Sequence, residues 1–253
     1  MLTTGARRTV APVTHTSDVP VQNPHQNVSF ASGDATAHGY LALPVSGSGP
    51  GLVVIQEWWG LTEHIKDVTD RFAAEGFVAL APDLFWRIEP GIELTDKSEA
   101  ERQKAFELYG KFDVESGIAD IEASIRAVRA CAQCTGKVGV VGYCLGGLIA
   151  YLSATRTDSN ATVGYYGVGI QDKLSEGHAI ANPLMLHIAT RDQFVPPEAQ
   201  AAIRAELAAN PHVTLYDYEA GHAFARVDGS DRVEASAQQA DARTLDFFRK
   251  HLA

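Results

Sequence analysis

Cysteine is scarce in this 253-residue chain: there are three, an odd number. That argues against a disulfide framework and suits a reducing compartment. Basic residues are short as well. Lys and Arg number 21 against 31 Asp and Glu, a net charge of −10, with a pI of about 5.3. The deficit disfavours nucleic acid or an anionic membrane as a partner. It also repels small anions at long range, so any anion site must be built from locally placed Arg. Long apolar runs are missing, and none approaches the roughly 18 residues of a membrane span. Arg7-Arg8 are followed by Thr9-Val10-Ala11-Pro12-Val13-Thr14-His15, which is no signal-peptide apolar core. There is no internal repeat and no heptad pattern. A soluble, cytoplasmic protein is expected.

What is present points to one large α/β domain. The chain is 45% hydrophobic, enough to bury a sizeable core. Residues 1–26, rich in Thr, Pro, Val, Asn and His without periodicity, read as a flexible arm, with a partner-binding strand as the alternative. Residues 27–253 read as a single domain. Val28–Phe30 and His38–Leu43 suggest short strands around Ser32-Gly33-Asp34. Apolar runs at 51–56, 77–81, 137–141, 161–166, 183–189 and 213–218 suggest further strands. Between them, helical patterns start at Thr62, read as an N-cap, and cover 98–109, 114–130, 145–154, 196–209 and 230–252. Residues 83–95, with Pro90 and Gly91, read as a long loop. The alternation predicts a mainly parallel central sheet with helices on both faces. Ligands of such sheets bind beyond the carboxyl ends of the strands.

One stretch organises the rest. The run Lys137–Val141 leads into Gly142-Tyr143-Cys144-Leu145-Gly146, and an apolar helical run follows at once. This is the strand–turn–helix context of the nucleophile elbow G-x-S-x-G, with sulfur in place of the hydroxyl. A nucleophile on so sharp a turn needs small residues two before and two after, so that strand and helix can pass closely. The helix N-terminus aims N–H groups and a positive dipole end at the sulfur, which favours thiolate. A buried, inert Cys beside a tight turn is the alternative, but composition would supply only about 0.02 chance matches to G-x-C-x-G.

Behind such an elbow the chain order is nucleophile, acid, histidine. Here the strand 183–189 ends at Thr190-Arg191-Asp192, and the strand 213–218 at Glu219-Ala220-Gly221-His222. Asp192 alone reads as a turn residue, and His222 alone as a surface one. In order and at strand ends with Cys144, they form a triad. Cys144 attacks an acyl carbon, His222 manages the thiol proton and activates water, and Asp192 fixes the His222 tautomer. The other histidines break this order, lie in the arm or at the C-terminus, or, like His187, sit inside a strand. Cys131-Ala132-Gln133-Cys134 could be a redox or metal pair. It lies at the C-terminal end of a helix, where the dipole disfavours thiolate, and no second such pair completes a zinc site.

Several strings resemble the dienelactone hydrolase family, α/β-hydrolases with a Cys-His-Asp triad. They are Gln56-Glu57-Trp58-Trp59-Gly60, Ala81-Pro82-Asp83-Leu84-Phe85-Trp86-Arg87, Gly142-Tyr143-Cys144-Leu145-Gly146-Gly147, Gly164-Tyr165-Tyr166-Gly167-Val168-Gly169 and Gly221-His222-Ala223-Phe224-Ala225-Arg226. The resemblance runs from about Val28 to Leu252. It implies an α/β-hydrolase fold and a lactone hydrolase that opens dienelactone to maleylacetate through a thioester, in aromatic or chloroaromatic catabolism, without metal or organic cofactor. It places Glu57 beside the nucleophile as proton acceptor or gate. It assigns the oxyanion hole to the backbone N–H groups of Leu145 and Trp58, and a substrate-carboxylate clamp to Arg87 and Arg226. It sets Trp59, Tyr109 and Tyr165 or Tyr166 near the substrate, and it leans towards a monomer. Two departures imply a reshaped pocket: Trp58-Trp59 replaces an aliphatic–aromatic pair, and Tyr109 stands where the lid helix of the family has Trp. The alternatives are a thiol esterase for another small ester or lactone, and a catalytically silent hydrolase-fold binding protein.

Overall fold

A computed structural model describes residues 25–227 and 229–253. Eight strands form one sheet: β1 (His25–Ser32), β2 (Ala35–Ala42), β3 (Gly49–Ile55), β4 (Val78–Pro82), β5 (Cys134–Tyr143), β6 (Ala161–Tyr165), β7 (Leu184–Ala189) and β8 (Val213–Tyr218). Their order is β1-β2-β4-β3-β5-β6-β7-β8. β2 runs antiparallel to β1 and β4, and every other pairing is parallel. The helices are α1 (Glu63–Ala74), α2 (Glu99–Lys111), α3 (Val114–Arg129), α4 (Leu145–Arg156), α5 (Pro197–Leu207) and α6 (Glu234–Leu252).

The apolar runs of the central strands make sense because side chains alternate across the sheet and both faces are covered. Val53, Ile55, Val138 and Val140 join a core with Ile121 and Ile125 of α3, Leu148 of α4 and Ile203 of α5. Leu52, Val54, Val141 and Tyr143 point to the other face, with Ile65 and Val68 of α1 and Phe247 and Phe248 of α6. α2 is different: only Ala105 and Leu108 are buried. A capping box anchors it, with Ser98 Oγ accepting from Glu101 N–H and donating back to the Glu101 carboxylate.

Several boundaries differ from the sequence expectation. β1 begins at His25, so residues 25 and 26, placed in the arm, pair with Ala42 and Leu41; residues 1–24 of the arm lie outside the described part. Thr62 occupies the N-cap of α1, but its side chain makes no capping bond. α6 starts at Glu234 rather than Ser230. A 3-10 helix at Ile170–Ala179 was not foreseen; Gly169, in the left-handed region, sets its start. Among the described residues no helix is long and apolar enough to cross a membrane.

Candidate active site

The central strand β5 delivers Cys144, which is buried and held at φ 56°, ψ −113°. A side chain in that region of backbone space costs about 1–3 kcal/mol, so the surroundings must enforce it. They do so by close approach. A Cβ on Gly142 would stand 1.9 Å from the Gly146 carbonyl oxygen, and one on Gly146 would stand 2.6 Å from the carbonyl oxygens of Ile55 and Gln56. Cys144 N–H donates to Tyr165 O at 3.1 Å, and Cys144 O accepts from Gly147 N–H at 2.9 Å. Leu145 is the first residue of α4, and an N–H there has no acceptor within the helix. It is free for the oxyanion role that Trp58, beyond the end of β3, would share.

The loops after β7 and β8 bring Asp192 and His222 together. His222 Nδ1 and Asp192 Oδ2 are 2.7 Å apart, and both residues are buried. Phe194 N–H donates to the other carboxylate oxygen, Asp192 Oδ1, at 2.8 Å. That fixes the carboxylate from two sides. Burial pushes the His222 pKa down, but the charge of an ionised Cys144, the hydrogen bond to Asp192 and the Asp192 charge outweigh it and raise it to about 10. Nε2 is buried without a well-formed hydrogen bond. Among the described residues, no cluster of three or more His, Cys, Asp or Glu could hold a metal ion.

Cys144 and His222 open onto a pocket of about 110 Å³ lined by Trp58, Phe106, Tyr109, Val168 and Phe194. The Trp58 ring meets Phe106, Tyr109 and Phe194 edge-on, with centroids 4.7, 6.3 and 6.4 Å away. Phe194 also sets its edge against His222 at 4.8 Å. Larger crevices lie between α1 and α6 (270 Å³) and at the amino ends of β7 and β8 (480 Å³), but neither touches Cys144 or His222. Phe106, Val168 and Phe194 were missed from sequence. Phe106 had a usable signal, since it lies one helical turn before Tyr109 and shares its face.

Glu57 and Arg226 are both buried and face each other, Oε2 to Nε at 3.7 Å; Arg226 also pairs with Asp96 at 3.5 Å and lies over the Trp59 ring at 5.6 Å. Trp59 is therefore the floor under Arg226 and packs on Trp58. The second arm of the expected clamp is not assembled. Arg87 is absent from the pocket lining. Its Nε and Nη2 donate to the buried Asp120 carboxylate at 3.0 and 2.8 Å, with Trp86 Nε1 donating beside it. The bidentate partner that a clamp would offer a substrate is already supplied by the protein. Arg87→Ala should therefore act first on stability. It removes two of the donors to a buried carboxylate that keeps Ser32 and Trp86, at about 1–3 kcal/mol. Thermal unfolding beside steady-state kinetics checks this: the melting temperature falls, with kcat/KM changed less than about threefold.

Of the two tyrosines left open, Tyr165 belongs to the core. Its hydroxyl bonds Thr244 at 2.7 Å and Asp241 at 3.1 Å on α6. Tyr166 instead faces His222, centroid to centroid 5.1 Å. His187 is a packed core histidine, bonded to Tyr218 and Thr244 and pushed down by burial, then by Arg243, to about 3. Cys131 and Cys134 are unpaired, and burial, then Cys134, raises the Cys131 thiol pKa.

Comparison with known proteins agrees with this architecture. Residues 37–252 match the model of the dienelactone hydrolase family. Carboxymethylenebutenolidase of Pseudomonas sp. (strain P51) is 38% identical over 220 residues, covering 87% of this chain and 92% of that one. Carboxymethylenebutenolidase 1 of Cupriavidus pinatubonensis is 38% identical over 209 residues, covering 83% and 89%. The crystal structure of a dienelactone hydrolase from Anabaena variabilis superposes with a TM-score of 0.68 at 17% identity, covering 92% of this chain and all of the other, a likeness of fold. An eight-stranded, mostly parallel sheet of α/β-hydrolase type and a match spanning nearly all of that sheet lead to one conclusion: the chain belongs to the dienelactone hydrolase family and is a carboxylic ester hydrolase.

Proposed function

We propose that this chain opens the lactone ring of dienelactone (4-carboxymethylenebut-2-en-4-olide) to maleylacetate through a thioester on Cys144. The observation that carries the reading is the short His222–Asp192 bond beside a nucleophile held on a strained elbow. The Cys144 sulfur attacks the lactone carbonyl, and the oxyanion rests on the Leu145 and Trp58 N–H groups. The ring C–O bond breaks and its oxygen leaves as enolate, protonated by the imidazolium of His222. His222, now neutral, takes a proton from water, whose hydroxide cleaves the thioester and restores the thiol. The setting is breakdown of aromatic or chloroaromatic compounds in the cytoplasm, by a monomer.

Arg226 is the cation left for the substrate carboxylate, held in reserve by Glu57 and Asp96. Arg226→Ala should lower kcat/KM on dienelactone by about 10²-fold or more, the worth of a charge-assisted pairing of roughly 3 kcal/mol. Hydrolysis of phenyl acetate, which has no carboxylate, should fall far less. Equal losses on both esters would instead favour a second reading, a thiol esterase for small neutral esters. The apolar lining of the pocket and the engagement of Arg87 by Asp120 speak for that alternative.

A further inference from the structure

Away from the pocket of Cys144, the crevice between α1 and α6 holds a donor with nothing to donate to. Val68, Phe72 and Ala74 of α1 and Ala242 and Leu245 of α6 give it apolar walls, and Tyr143, the last residue of β5, lines it as well. Tyr143 is only 3% exposed. Its ring packs on the Tyr165 ring, centroid to centroid 4.7 Å. Among the described residues its hydroxyl has no hydrogen-bond partner, yet it is not sealed in as the Tyr166 hydroxyl is. The crevice is where it surfaces. Burial first, then the charge of Asp241, hold its pKa above the ordinary tyrosine range, so the group stays a neutral O–H donor. A buried hydroxyl left without an acceptor is costly, and each such group calls for a reason.

The rest of the crevice limits what that acceptor can be. Its charges are already matched: Arg71 Nη1 pairs with Asp241 Oδ2 at 3.4 Å, and Glu75 Oε2 with Arg249 Nη2 at 2.7 Å. An anion would meet Asp241 and Glu75, and a cation would meet Arg71, so a neutral molecule suits the lining. The volume is 270 Å³, against about 150 Å³ for an apolar cavity that takes benzene. There is room for one aromatic ring with a substituent. Asp241 accepts from Tyr165 O–H at 3.1 Å, and its carboxylate has lone pairs left for a further donor. A phenolic hydroxyl answers both groups, accepting from Tyr143 and offering its own proton to Asp241. We propose that the crevice between α1 and α6 is a binding site for a neutral, single-ring phenol whose oxygen accepts a hydrogen bond from Tyr143. The site shares no residue with the pocket of Cys144 and does not depend on the lactone reading.

The test is titration of the full chain with 4-methylphenol, followed through backbone amide NMR shifts. In wild type, saturable shifts should gather on residues 68–75 and 241–245, with a Kd of about 1 mM or tighter. Toluene, the same ring without the oxygen, should bind there about 3–10-fold more weakly, the worth of one hydrogen bond. The anion 4-methylbenzoate should bind at least about tenfold more weakly, because Asp241 and Glu75 oppose its charge. In Tyr143→Phe, 4-methylphenol should lose about 3–10-fold in affinity and toluene less than about twofold. The melting temperature of that variant should hold, since the hydroxyl removed has no partner in the fold. Ala242→Trp, at an exposed position on the crevice wall, fills the space and should abolish the shifts from both ligands. If Tyr143→Phe fails to fold, the toluene and Ala242→Trp comparisons still decide the matter. Shifts confined to the surroundings of Phe194 and His222, no saturable shifts at all, or shifts that survive Ala242→Trp would overturn the site. Toluene or 4-methylbenzoate bound as tightly as 4-methylphenol, or unchanged affinity in Tyr143→Phe, would overturn the phenol and its hydrogen bond.

Discussion

Cys144→Ala should be folded and inert. Hydrolysis of dienelactone should drop by about 10⁴–10⁶-fold, the scale on which loss of a nucleophile removes catalysis that only the intact constellation provides. Stability should stay within about 1 kcal/mol of wild type. The substitution removes one buried sulfur, while Ala at φ 56° is as strained as Cys. Cys144→Gly provides the contrast. Glycine enters the left-handed region freely, so that variant should be the more stable of the two and equally inactive. The result separates two causes of inactivity. Steady-state kinetics with unfolding curves for the three proteins would show activity lost with the sulfur while the elbow survives. A residual rate within about tenfold of wild type would move the nucleophile elsewhere.

The second large effect is on the acid. Asp192→Asn keeps the size of the side chain and replaces its charge and the acceptor that faces His222 Nδ1. In a triad this costs about 10⁴-fold, because the wrong tautomer and orientation are then favoured. It also has a pH signature. The Asp192 hydrogen bond and charge are among the causes that lift His222 to about 10 against the pull of burial. Without them the imidazolium is lost at lower pH, so the alkaline limb of the residual kcat moves from near 10 towards neutrality. The sign for stability follows from the same raised value. Protonation of His222 favours the fold fully below its ordinary pKa near 6.5, and the contribution fades as pH rises to about 10. Asp192→Asn should therefore lose more stability at pH 6 than at pH 10, measured by unfolding at both.

The chain order of Cys144, Asp192 and His222 was readable because it is local and topological. Cys144, Asp192 and His222 each sit just past a strand whose apolar run is continuous in sequence, and a parallel sheet gathers those ends at one edge. The limits of the reading have equally specific causes. Arg87 finds Asp120 across 33 residues, and no periodicity in α3 marks Asp120 as the one charged residue that turns inward. Asp96 lies in a loop that only the folded chain brings to Arg226. Phe194 carries no pattern of its own, yet its backbone steadies Asp192 and its ring covers His222. The sequence assigns no element to 170–179, because a 3-10 turn needs neither the apolar stripe of a helix nor the alternation of a strand.

The central claim is covalent catalysis by Cys144, and acid-quenched intact mass spectrometry during turnover addresses it most directly. Ring opening of a lactone expels no fragment, so the thioester carries the whole mass of dienelactone. The account predicts a protein species heavier by that mass, mapped to the peptide that holds Cys144, formed in wild type, longer-lived in Asp192→Asn, and absent from Cys144→Ala. Turnover of dienelactone by wild type with no adduct in either active protein, or an adduct mapped to Cys131 or Cys134, would contradict it.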